Sequence, residues 1–131
     1  MEYFNAPFLT IYWLEDVKVV HMEWKKYAAG ENFRKGLDKG LELIVKKGST
    51  RWLADLRKMQ VVNIEDQQWS NEDWFPRAIK KGIKFMAIIV PEDVFGKMAV
   101  NRIMEKVTEI DLTTHYFSSV EEAVSWLKSS L

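Results

Sequence analysis

Residues 83–90 read IKFMAIIV, and this stretch decides the fold. Apolar side chains occupy both alternating sets of positions, the pattern of a strand inside a sheet with both faces covered. Upstream, RWLADL (residues 51–56) reads as a second strand. Between the two, from about Ile64 to Lys81, the period becomes helical. Asn63 with Asp66 three residues on forms a capping pair at its start. Pro76 falls inside this region, so a kink or a fresh start is expected near Asp73, where proline in a first turn costs little.

Further upstream, Phe33, Leu37, Leu41 and Ile44 recur at helical spacing between Glu31 and Lys47. Lys46-Lys47-Gly48 is a stop signal, because cations complement the C-terminal dipole and glycine takes the left-handed cap. Lys80-Lys81-Gly82 repeats the device. Gly36 and Gly40 inside that helix each cost about 1 kcal/mol relative to alanine. They imply close approach of another backbone, in the protein's own sheet or a second subunit. Phe8–Leu14 (FLTIYWL) and Lys18–Trp24 (KVVHMEW) read as an antiparallel hairpin. The wetter face of the second run, Val19, His21 and Glu23, suits an outer strand.

Downstream, a helix is expected from about Asp93 to Val107, with Val94, Met98, Ile103 and Val107 on one face. Leu112–Phe117 (LTTHYF) reads as a half-polar outer strand. Ser118 and Ser119, each three residues before a glutamate, offer overlapping capping boxes to a last helix, VEEAVSWLKSS. The expected class is α/β: one domain over residues 1–131, an opening antiparallel hairpin, then right-handed βα units on a mixed sheet of about five strands.

Composition removes several function classes. The 131 residues carry 19 basic and 19 acidic side chains and no cysteine. Zero net charge argues against a dedicated nucleic-acid binder. Without cysteine there are no disulfides, zinc–thiolate sites or thiol nucleophiles. No apolar run approaches the roughly 18–20 residues that span a bilayer, and the N-terminus lacks a signal pattern, so a soluble cytoplasmic protein is expected. No phosphate-binding glycine loop or nucleophile elbow occurs. His21 and His115 lack companion ligands for zinc and read as structural.

WLADLRKM (52–59), EDQQW (65–69), WFPRAIKKG (74–82), AIIVPEDVFG (87–96) and FSSVEEAVSWL (117–127) together resemble a group of short bacterial proteins described as STAS-like or SpoIIAA-like. The resemblance covers nearly the whole chain from the hairpin onward. It implies the fold of the anti-sigma-factor antagonists, shared in larger form by CRAL-TRIO lipid-transfer domains. Fold does not carry function across. Antagonists of that type place a phosphorylatable serine at the start of the helix after the strand equivalent to Arg51–Leu56. Here that neighbourhood reads Asn63-Ile64-Glu65-Asp66-Gln67, and the nearest hydroxyl is Ser70, so the switch is absent. Carboxylates there would at most imitate a permanently charged state.

Candidate ligand positions follow from the architecture. Sites in parallel sheets form beyond the carboxyl ends of strands, especially where strand order reverses. Asp55-Leu56-Arg57-Lys58, Pro91-Glu92-Asp93 and Ser118-Ser119 are expected at that edge. Helix N-termini there suit a small anion, with Arg57 as a two-pronged donor. The ordinary alternative has Asp55 capping a loop and Arg57 pairing with Glu65 or Asp66. Asp55, Glu65 and Asp66 are not expected to form a catalytic or metal set, because nothing in the spacing makes them converge. Trp69, Trp74 and Phe75, with Arg77 nearby, either fill the core or cover a pocket or interface.

Two function classes stand. One is a non-enzymatic regulatory or protein-interaction module that binds itself, as a homodimer, or another protein, without cofactor. The other is a small carrier or sensor holding an apolar or amphipathic ligand beneath Trp69–Arg77, with Met86, Met98 and Met104 as adaptable walls. An enzyme acting through Asp55, Arg57 and Glu65 comes third.

Overall fold

A computed structural model of the chain describes residues 1–59, 62–89 and 112–129. Six strands form one sheet in sequential order: β1 (Glu2–Ala6), β2 (Leu9–Leu14), β3 (Val19–Trp24), β4 (Arg51–Asp55), β5 (Phe85–Ile89) and β6 (Thr113–Phe117). The first three are antiparallel neighbours, and β3 through β6 run parallel. Helices α1 (Glu31–Lys47), α2 (Ile64–Trp69), α3 (Phe75–Lys81) and α4 (Val120–Ser129) complete the described elements, with a π-helical segment, Ser70–Trp74, joining α2 to α3. The helix expected at Asp93–Val107 lies outside the described residues.

Alternation along each strand divides the core in two. Trp24, Trp52, Met86 and Ile88 face α1 and the α2–α3 region, while Val19, Leu53, Ala87 and Ile89 face α4. The stretch that decides the fold therefore behaves as read: β5 lies between β4 and β6, and its residues from Met86 to Ile89 are buried. Arg51 ties α4 to the sheet, its Nε donating to the Leu127 carbonyl at 3.0 Å. A cation there also suits the C-terminal end of a helix dipole.

Two expectations about the hairpin need correction. The sheet has a sixth strand, β1, paired to β2 through Glu2–Tyr12 and Phe4–Ile11. The second strand of the hairpin, β3, is not an outer strand. It sits between β2 and β4, with Val19, Val20, His21 and Met22 all buried. Its polar alternate face reflects single polar residues among covered neighbours, not solvent. The hairpin's free edge is consequently filled by the chain's own β1, whereas β6 is the outer strand at the other end, as expected.

The disturbance expected near Asp73 is a π turn, Ser70–Trp74, after which α3 starts at Phe75 with Pro76 in its first turn. Asn63 caps α2, its side-chain oxygen accepting from the Asp66 N–H at 2.8 Å. The chain then widens by one π turn, in which the Phe75 N–H reaches back to the Ser70 carbonyl. Pro76 has no N–H to give, and the wide turn before it places that missing donor at the start of α3.

The α1 glycines are explained by the protein's own sheet, though its side chains rather than its backbone make the approach. A Cβ at Gly40 would stand 2.4 Å from Trp52 Cη2 and 2.6 Å from Met22 Sδ; one at Gly36 would stand 2.7 Å from Leu9 Cδ2. On an open helix Gly40→Ala would stabilise by about 1 kcal/mol. Here the overlap dominates, and the substitution is expected to destabilise by about 1–2 kcal/mol in urea denaturation. An unchanged or raised midpoint would mean that Trp52 and Met22 move aside freely.

Candidate functional site

The end of β4 and the start of α2 hold most of the charged candidates, but on opposite sides of the sheet. Asp55 shares the alternation of Leu53 and so lies toward α4, whereas Asp66 packs at the start of α1. They do not converge, and Glu65 is exposed. Among the described residues no group of three or more histidine or acidic side chains is placed to hold a metal. Strand order in β3–β6 is also monotonic, so these strands form no crevice of the reversing kind. Pro91-Glu92-Asp93, Met98 and Met104 lie outside the described residues.

Arg57 pairs with Asp55, rather than with Glu65 or Asp66. Its Nε and Nη2 donate to the two carboxylate oxygens at 3.0 and 2.8 Å, and its backbone N–H donates to Oδ1 at 3.2 Å. Burial alone would push the Asp55 carboxyl up, but the guanidinium hydrogen bonds, the backbone donor and the Arg57 charge together hold it below the ordinary value. His21 lies on the same face beside the Tyr12 ring, 5.5 Å between centroids. Burial lowers its pKa against the opposing pull of Asp55 and Glu23, and its Nε2 has no hydrogen-bond partner among the described residues. His115 stacks on Trp126 at 4.6 Å. An anion at Arg57 would have to displace the Asp55 carboxylate, which is 4 % exposed and built in.

Asp66 is equally committed. At 1 % exposure it accepts from the Gly30 N–H at 2.8 Å and from Arg34 Nε at 3.3 Å, which fixes the start of α1 against α2. It therefore presents no charge at the surface in imitation of a phosphoserine. Ser70, the nearest hydroxyl, is itself 2 % exposed and out of reach of a kinase in the folded chain.

The aromatic candidates separate cleanly. Trp74 is 1 % exposed, edge-on to Trp52 at 5.1 Å and to Phe75 at 5.0 Å, and its Nε1 donates to the Leu37 carbonyl at 3.1 Å. It is a core residue. Trp69 is only half-buried, and the guanidinium carbons of Arg34 and Arg77 stand 5.4 and 5.8 Å from its ring. Arg77 is held in turn by Asp38 at 3.0 Å and Asp73 at 3.1 Å. Such cation–π pairs contribute roughly 0.5–1 kcal/mol each at partly exposed sites. Ile64, one turn before Gln68 on α2, is 64 % exposed. The result is a rigid patch with an indole held by two arginines. Sequence reasoning missed Arg34 and Asp38, since their i, i+4 spacing on α1 reads as a solvated helix face.

Beneath this patch lies a cavity of about 60 Å³. Trp24, Trp52, Trp74, Phe75 and Met86 line it, and Ser70 from the π turn reaches it.

Parallel βα units following an antiparallel opening, with helices on both faces, define a mixed α/β domain. Residues 19–128 match the SpoIIAA-like family model, and the chain belongs to that family. A search of curated proteins found no match. No described helix is long and apolar enough to cross a membrane.

Proposed function

We propose that the protein is a non-enzymatic regulatory module that works by protein–protein contact, self-associating as a homodimer through the surface of α2, and that it acts without the serine switch of its relatives. Membership of the SpoIIAA-like family supports a regulatory, protein-binding role. The observation that carries the choice of surface is Trp69, half-exposed and held rigid by Arg34 and Arg77. Tryptophan and arginine dominate interface hot spots, and a side chain fixed before binding loses little entropy on binding. Among the named candidates, Trp69, Arg77, Glu65 and Arg57 reach solvent; Asp66 and Trp74 support the α2 surface from within, whereas Asp55, held by Arg57, lies on the other face of the sheet. A cytoplasmic location is part of this proposal.

Sedimentation velocity tests this. Trp69→Ala is expected to weaken self-association at least tenfold while remaining folded at a cost of about 1–2 kcal/mol, since two cation–π contacts and part of its packing against the core are lost. Unchanged association in the folded variant would remove α2 as the contact surface.

A second reading, a carrier or sensor of a small apolar or amphipathic ligand, is favoured by one observation, the cavity under the same segment.

A further inference from the structure

Ser70 is a serine out of place. Its hydroxyl is buried, has no hydrogen-bond partner among the described residues, and belongs to a residue lining the cavity. Buried polar groups are nearly always paired, because leaving one unpaired forfeits its hydration without return. The backbone around it is unusual too: Ser70 opens the π turn, a rare local structure that recurs at functional sites. The rest of the described lining is apolar or aromatic, including Ala54, Val62 and Ile88.

Resting on the carrier reading, we propose that this cavity binds a small, neutral, largely apolar molecule carrying one hydrogen-bonding group, which the Ser70 hydroxyl engages. The chemistry of the wall sets each term of that description. A charged ligand would enter a low-dielectric space lacking any counter-charge among the described lining residues, which is prohibitively costly. Water alone is a poor occupant, since a buried water needs roughly two to four polar partners and the described lining has a single hydroxyl. Size follows from the volume. A dry cavity of about 150 Å³ takes a benzene ring, so about 60 Å³ takes only the compact end of a ligand. Leu37 and Leu56 are the described lining residues only partly buried, and they mark the side on which anything longer would reach solvent.

Two probes test the site by methyl and xenon NMR on the full chain. Xenon reports whether the apolar hole accepts a guest at all; 1-propanol reports whether Ser70 selects one with a hydroxyl. Expected are saturable shifts and intermolecular NOEs at the Met86 and Ala54 methyls with 1-propanol. Binding should be about five- to tenfold weaker in Ser70→Ala, the loss of one net hydrogen bond, and absent in Ala54→Leu, which fills the hole. Ser70→Ala adds no volume and exposes no group, so it remains informative if Ala54→Leu does not fold. Xenon uptake with 1-propanol binding equally to wild type and Ser70→Ala would overturn the proposed ligand chemistry while leaving the carrier reading standing. Neither probe entering would overturn both.

Discussion

Replacing Trp74 by alanine is expected to lower the unfolding free energy by about 3–5 kcal/mol, the largest effect of any single substitution considered for this protein. The indole is 1 % exposed, and it bridges Trp52, Phe75 and the α1 backbone carbonyl of Leu37. Truncation removes its transfer free energy, its hydrogen bond and two edge-on ring contacts together. It also enlarges a cavity that is already present, which limits collapse of the surroundings. Urea unfolding measures the loss directly. A cost below about 1 kcal/mol would mean that the ring is not seated in the core. The contrast with Trp69 matters more than either value alone. Five positions apart, one tryptophan should govern stability and the other association.

Arg57→Ala is expected to cost about 2–3 kcal/mol at neutral pH, and the cost should disappear in acid. The removed guanidinium is partly in water, which moderates the effect, but its partner Asp55 is buried and would be left charged without its counter-charge, keeping only the backbone N–H of residue 57. In the wild type the Asp55 carboxyl titrates below its ordinary value of 3.8. The pair's contribution is then full above that value and fades as pH falls through the lower, folded one. In the variant the guanidinium hydrogen bonds and charge are gone while burial remains, so the carboxyl titrates higher than in the wild type and its poorly compensated charge weakens folding at neutral pH. Acidification neutralises it and relieves that penalty. The wild-type-minus-variant difference should therefore be largest near pH 7 and close as pH approaches and passes below 3.8. A difference constant across that range would place the role of Arg57 in packing rather than charge.

Periodicity made most of the architecture legible. IKFMAIIV announced a strand covered on both faces, and Lys-Lys-Gly marked two helix ends where Gly48 and Gly82 adopt left-handed backbone. Strand β1 escaped because EYFNA is short and mixed, and its role depends on pairing with β2 rather than on its own pattern. The burial of β3 escaped for a related reason: His21 and Glu23 look wet in sequence, and only the neighbouring strands reveal the cover. Pro76 signalled a disturbance, yet no local rule distinguishes a new helix from a π turn.

The site was legible by residue type rather than by arrangement. Asp55 and Arg57 pair with each other two residues apart, but Asp66, Trp69, Trp74 and Arg77 find partners in distant segments. Asp66 meets Gly30 and Arg34 across more than thirty residues, and Arg77 meets Asp38 across thirty-nine. Spacing carries no information about such pairs. Nor does it show that Ser70, adjacent to an exposed face of α2, turns inward at a π turn.

Native mass spectrometry of freshly purified protein tests the proposed self-association most directly. A module of this kind should fly as a dimer at twice 15.4 kDa, with Trp69→Ala at 15.4 kDa under the same conditions. Wild-type protein found only at 15.4 kDa, at every concentration up to tens of micromolar, would contradict it.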